Sequence, residues 1–255
     1  MRILTLLPTT DDAVRTRALL RRWRHVWLCL PALAFSDVDK TKTPERGGLA
    51  ELVDAALARS HETLEIHLQH PFHKARANAW LQQAAERVHG KIVLWFYDHR
   101  PKTTFDDQFR GPGTVVLDLP CSGARTAIMS FGSSLSIADC DSVPTLRLPA
   151  APAVNSSLRE LELGCVRLEG GSLSDFVSSC GQLRRLRVRF VWGMGGQDLR
   201  ISNKLLEELD LDCILGGLGR LEVSCLKLRF LRIKRLFLSS PDRLALQLQD
   251  TQEQG

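Results

Sequence analysis

The sequence lacks the long apolar runs that membrane-spanning helices need. No stretch approaches the roughly 18 consecutive apolar residues of such a helix. The first residues, MRILTLL, end at Pro8 and lead into an arginine cluster, whereas a secretory signal has a longer apolar segment. Asp11 and Asp12 also disfavour a transit peptide. We therefore expect a soluble protein of the cytosol, the nucleus or both.

Paired cysteines are also missing. The seven cysteines are odd in number and widely spaced, and none forms a Cys-x-x-Cys pair. Both a disulfide framework and a zinc site are therefore disfavoured, and free thiols in a reducing compartment are predicted. The segment HLQHPFH contains His67, His70 and His73, but Pro71 interrupts any helix that could bring them together as metal ligands. We predict no metal and no cofactor.

The motifs that mark common enzymes are absent as well. There is no Gly-x-Ser-x-Gly and no phosphate-binding Gly-Lys-Ser/Thr loop, and the glycine-rich GMGGQD has Asp198 where a third glycine would stand. All seven histidines lie at or before His99. The charge is mixed, with 34 Lys+Arg against 29 Asp+Glu, so nucleic acid is not indicated as a partner. The sequence predicts a protein that is not an enzyme.

What the sequence does contain is a repeat, Leu-x-x-Leu-x-Leu-x-x-Val. Its first leucines are 25, 23 and 22 residues apart, at Leu158, Leu183, Leu206 and Leu228. This period lies within the roughly 20 to 29 residues of leucine-rich repeats, whose stacked turns bury leucines that one turn cannot bury alone. A β-sandwich with regularly spaced short strands is the alternative. It does not require a repeat of this kind.

Shorter patterns extend this organisation. Residues 49–58 and 77–88 read as helices, and 63–68 and 91–97 read as strands. Earlier, degenerate turns are predicted at 115–120, 126–131 and 142–149, and return strands on an opposite wall at 198–202 and 219–224. The predicted domains are a helical segment at 1–36, a linker at 37–48, a solenoid at 49–240 with regular repeats over 158–238, and a polar tail at 241–255.

The side chains between the repeat leucines form the candidate substrate-binding wall, because they point away from the core. They alternate in sign from strand to strand: Glu160 and Glu162; Arg185, Arg187 and Arg189; Glu208 and Asp210; Arg232 and Lys234. Two interpretations remain open. Neighbouring strands neutralise each other, or the charges form a patterned surface that recognises a protein substrate.

The N-terminal segment resembles a plant-type F-box. The motifs that carry the likeness are Leu6-Leu7-Pro8, Ala13 to Thr16, Leu20 to Arg24, Trp27, Leu30-Pro31 and Phe35 with Asp37. With the repeats, the chain is similar to the F-box/leucine-rich-repeat proteins of plants. Compared with that family, we expect an F-box that is N-terminally truncated and no C-terminal domain.

The resemblance implies a substrate-recognition subunit of an SCF-type (cullin-RING) ubiquitin ligase. The predicted fold class is α+β to α/β repeat, a leucine-rich-repeat solenoid with a small N-terminal helical F-box remnant. The residues expected to bind the adaptor subunit are Leu7, Pro8, Val14, Leu19, Trp23 and Trp27. The alternative is that they pack on the first repeat, in a non-catalytic interaction scaffold that has lost adaptor binding.

Overall fold

A computed structural model describes nine segments of the chain. They are residues 30–36, 48–68, 76–98, 116–119, 124–133, 144–149, 157–170, 172–236 and 244–247. The predicted adaptor-binding residues and nearly all of the predicted linker lie outside them.

The described residues form thirteen strands and three helices. The strands are β1 Ala32–Ser36, β2 His61–Leu68, β3 Val88–Asp98, β4 Val116–Asp118, β5 Thr126–Ser133, β6 Thr145–Leu148, β7 Glu160–Gly170, β8 Arg185–Trp192, β9 Leu199–Ser202, β10 Glu208–Ile214, β11 Leu221–Ser224, β12 Phe230–Lys234 and β13 Leu244–Gln247. The helices are α1 Gly48–Leu57, α2 Ala77–Arg87 and α3 Leu173–Ser179. No described helix has the length and apolar content to cross a membrane.

Ten strands form one large parallel sheet. Eight follow one another in the order β1-β2-β3-β5-β7-β8-β10-β12, while β6 pairs with both β4 and β7. A second parallel sheet has the order β13-β11-β9. A mostly parallel sheet with few helices is compatible with an α/β repeat fold. The β-sandwich alternative is wrong, since every strand pairing among the described residues is parallel and sandwiches are antiparallel.

Equivalent positions of the four repeats lie side by side in the large sheet. Leu161, Leu186, Leu209 and Leu231 are neighbours in register, as are Leu163, Val188, Leu211 and Ile233. The same two rows continue through the less regular strands to Leu33 and Phe35 of β1. Each inner strand thus buries two side chains against its neighbours, and full burial of each stabilises the fold by about 1.5–3 kcal/mol.

A left-handed residue recurs at one position of every repeat. Cys165, Phe190, Cys213 and Arg235 have φ between 50° and 56°, and each comes directly before the last apolar residue of its repeat. Residues with a Cβ rarely adopt this conformation. Its recurrence shows that the four units share a backbone geometry as well as a leucine pattern.

One apolar core joins the two sheets and the helices. Leu199 and Val223 of the second sheet belong to the same buried cluster as Leu186 and Leu209 of the large sheet. The second sheet, which contains the strands predicted at 198–202 and 219–224, therefore shares its core with the large sheet.

Helices α1 and α2 pack at the N-terminal end of this core. Trp80 of α2 is buried and donates a 2.7 Å hydrogen bond from Nε1 to Asp54 of α1. The buried His61 lies 2.9–3.0 Å from the carbonyl oxygens of Ala56 and Leu30, linking the end of α1 to the chain before β1.

Three features differ from the prediction. Residues 32–36, which were expected to belong to a helical segment, form strand β1. They do so because strand β2 offers an edge to pair with and the core buries Leu33 and Phe35. The predicted polar tail contains β13, which pairs with β11. Helix α3, which was not predicted, begins after Ser172, whose hydroxyl accepts a 3.1 Å hydrogen bond from the Ser174 amide.

Candidate functional site

The predicted wall residues lie together on one face of the large sheet. Across β7, β8, β10 and β12 they form three rows in register: Glu160, Arg185, Glu208 and Phe230; Glu162, Arg187, Asp210 and Arg232; Gly164, Arg189, Asp212 and Lys234. We call these twelve residues the charged wall. Because alternate residues of a strand point to opposite faces, the leucines between them enter the core.

Arg185 holds the first row together. Its Nη1 is 2.8 Å from Glu160, and its Nε and Nη2 donate hydrogen bonds of 2.6 and 3.0 Å to the two carboxylate oxygens of Glu208. These hydrogen bonds hold the pKa of Glu208 below its ordinary value and raise the pKa of Arg185. Both groups are therefore charged throughout the physiological pH range.

The second row is centred on a buried carboxylate. The Asp210 side chain is only 4% exposed, and it accepts a 2.7 Å hydrogen bond from Nη2 of Arg189 and further hydrogen bonds from Arg232. Burial is the largest single influence and favours the neutral acid, but the hydrogen bonds and charges of the two arginines together outweigh it. The pKa of Asp210 is lowered as a result.

Among the described residues, Arg187 and Lys234 of the charged wall lie less close to carboxylates than Arg185 does. The guanidinium of Arg187 is 3.7 Å from both Glu162 and Glu208, which is beyond hydrogen-bond length. Asp212 is paired at 2.9 Å with Arg235, which also lies 4.9 Å from the ring of Phe190. Lys234, the register neighbour of Asp212, is exposed.

The same face continues onto strands that the sequence prediction did not include in the site. On β2 and β3, Lys91 is 2.9 Å from Glu65, and His67 stacks on Trp95 with ring centroids 5.6 Å apart. The repeat leucines are absent here, so the motif did not mark these strands. The alternation within TLEIHL and KIVLWFY was the available signal. Within the described segments, no three His, Cys, Asp or Glu side chains are grouped as metal ligands.

Comparison with known proteins finds similar sequences among plant F-box proteins. No protein-family model and no solved structure matches the chain. It is 29% identical to a putative FBD-associated F-box protein of Arabidopsis thaliana, over 73% of this chain and 41% of that protein. It is 25% identical to a putative F-box/FBD/LRR-repeat protein of the same plant, over 91% of this chain and 49% of that protein.

A third relative from the same plant, F-box/LRR-repeat protein 25, is 22% identical over 91% of this chain and 81% of its own length. The chain is similar to plant F-box/leucine-rich-repeat proteins along most of its length. The predicted resemblance is thereby confirmed. The chain spans less than half the length of the first two relatives.

Proposed function

We propose that this chain is a substrate-recognition subunit of an SCF-type ubiquitin ligase. The observation that carries the proposal is the similarity to F-box/leucine-rich-repeat proteins along most of the chain, together with a continuous outward face on a parallel sheet. In this proposal the N-terminal segment binds the adaptor and the sheet face binds a protein substrate. The chain itself contributes recognition and no chemistry, and it acts in the cytosol, the nucleus or both.

The parallel strands would form the inner wall of a leucine-rich-repeat solenoid, and β9, β11 and β13 its opposite wall. Two observations support this arrangement. The four repeat motifs pair in register, and each has its left-handed residue at the same place. The helical F-box remnant remains part of the proposal, since residues 1–29 lie outside the described segments.

Co-purification with the adaptor subunit tests the N-terminal role. The full chain should capture the adaptor, and a Trp23→Ala, Trp27→Ala variant should lose it. The matched control is Leu226→Ala, Phe230→Ala, which removes two exposed apolar side chains remote in sequence from that segment and should keep capture. Circular dichroism verifies folding of each variant. If the folded parent chain captures no adaptor, the interaction scaffold without ligase attachment is the better assignment.

The role of the sheet face is tested by reversing a weakly held charge. Arg187→Glu should reduce capture of proteins that the parent chain retains from plant extract, because it changes the pattern of the wall. Its matched control is Arg200→Glu, since Arg200 forms a similarly long 3.6 Å ion pair with Glu222 on the second sheet. Equal capture by both variants would contradict substrate binding at the charged wall.

A further inference from the structure

The outer edge of β12 differs from every inner strand of the large sheet. β12 is the last strand in the sheet order and pairs, within the described residues, with β10 alone. An edge strand presents a row of backbone N–H and C=O groups that can pair with another chain. This edge therefore offers hydrogen bonds that the inner strands have already formed.

Strands β8 and β12 differ in the carboxylates that lie beside their cations. Both carry cations on the wall, but β8 lies between β7 and β10, whose carboxylates pair with Arg185 from its two sides. Among the described residues, β12 has acidic neighbours on the β10 side only. There Arg232 is paired with Asp210, while the register neighbour of Lys234, Asp212, is paired with Arg235. Within the described part of the chain, Lys234 has no carboxylate partner.

The core side of β12 is also incompletely covered. Leu231 and Ile233 are only partly buried, whereas their counterparts on β8, Leu186 and Val188, are 0% exposed. The large apolar residues most exposed in the described segments, Leu226 at 52% and Phe230 at 49%, lie at or just before this strand. The apolar surface and the unmatched positive charge therefore occur on the same edge.

We propose that the outer edge of β12 binds an extended segment of another protein in which aliphatic and acidic residues alternate. Its aliphatic side chains would cover Leu231 and Ile233, its acidic side chains would face Lys234 and Arg232, and its backbone would extend the sheet. The segment LEELDLD at 206–212 contains this pattern in its last five residues, which begin strand β10 and fit the opposite edge of β12. The proposal uses the backbone edge of the sheet, whereas the proposed substrate site uses its face. Because Arg232 and Lys234 belong to both, peptides with methylated backbone amides distinguish the two.

A labelled peptide with the sequence LEELDLD is the probe. Fluorescence anisotropy with the full 255-residue chain should show saturable binding. A peptide with lysine at every acidic position should bind at least about tenfold more weakly, a difference of about 1.4 kcal/mol. Equal binding of both peptides, or no binding of either, overturns the proposal.

Two further peptides test whether the backbone takes part. A strand added to an edge uses the amides of alternate residues, so N-methylation of one alternate set should abolish binding and methylation of the other set should not. The variant Lys234→Glu should bind the parent peptide about tenfold more weakly than Lys204→Glu, which reverses an exposed lysine on the turn before β10. Identical effects of both methylation patterns, or of both variants, would contradict binding at the edge of β12.

Other occupants of the edge give distinct results. Amide hydrogen exchange of Leu231 and Ile233, which alternate with amides bonded toward β10 such as that of Phe230, should be fast in the free chain and slow with bound peptide. Slow exchange in the monomeric free chain would show that its own residues already cover β12, and a dimer that Ile233→Lys dissociates would show that a second copy does. Either result overturns the proposal.

Discussion

Arg185 and Glu208 are neighbours in register on β8 and β10, and two hydrogen bonds of 2.6 and 3.0 Å join their side chains. The alternation of charge sign along the sequence thus becomes alternation across the sheet. Neighbouring strands neutralise each other, as the first interpretation of the wall predicts. Substrate binding by the wall stays a prediction.

A double-mutant cycle measures the strength of this pair. With Arg185→Ala, Glu208→Ala and the combined variant, urea unfolding should give a coupling free energy of about 0.5–1 kcal/mol, because both groups are partly exposed. The same cycle on Arg200 and Glu222, which are 3.6 Å apart on the second sheet, serves as control and should give a value near zero. Equal coupling in both cycles would show that the two-bond geometry contributes nothing.

Asp210 should matter more to stability than the other wall carboxylates. Asp210→Ala leaves Arg189 and Arg232 without their shared acceptor, and these arginines remain exposed enough to be hydrated in part. We expect a loss of about 1–3 kcal/mol in the free energy of unfolding. Asp210→Asn keeps an oxygen acceptor and should lose less. Equal losses in the two variants would place the effect in packing and not in hydrogen bonding.

Stability should fall on acidification through these carboxylates. The pKa values of Asp210 and Glu208 are lowered in the folded chain, so the unfolded chain binds more protons over the acidic range. Their contribution is fully present above the unfolded values of about 4 and is lost as pH falls through the lower folded values. Urea unfolding between about pH 6 and pH 3 should show a smaller decline for Asp210→Asn, Glu208→Gln than for the parent. An unchanged decline would refute this assignment.

The left-handed backbone at Cys165 predicts that glycine is tolerated there but not at the adjacent Val166. Cys165 has φ 52°, a conformation that glycine adopts without steric cost, so Cys165→Gly should change the unfolding free energy by no more than about 1 kcal/mol. Val166 is 0% exposed and outside the left-handed set, and Val166→Gly should cost about 3 kcal/mol through lost burial and backbone freedom. Thermal unfolding of both variants checks the contrast. Similar losses would contradict it.

The sequence predicted those elements whose signal is local. The helices at 49–58 and 77–88 and the strands at 198–202 and 219–224 are confirmed within a few residues by α1, α2, β9 and β11. Strand β1 was missed because ALAFS is short and follows a segment with helical spacing. β13 was missed because LALQ lies in a polar context. Both became strands because a parallel neighbour supplied their hydrogen bonds.

The wall was predicted in part for the same reason. Its charged residues follow from their places between repeat leucines, but the face over β2 and β3, with Glu65, His67, Lys91 and Trp95, has no such marker. The motif also could not predict which carboxylate pairs with which arginine. Asp210 accepts hydrogen bonds from both neighbouring strands, whereas Asp212, two residues later on the same strand, pairs with Arg235.

The sequence by itself determined the repeat, its period and the sign of the charge on each strand, because leucine spacing and side-chain alternation are properties of the chain taken alone. Only the tertiary structure decided the strand register, the burial of Asp210 and the left-handed residues at Cys165, Phe190, Cys213 and Arg235. Stacked turns impose one backbone path on every repeat. Residues without a local preference for a conformation then adopt it, because the buried leucines on either side stabilise the stack by more than the local strain costs.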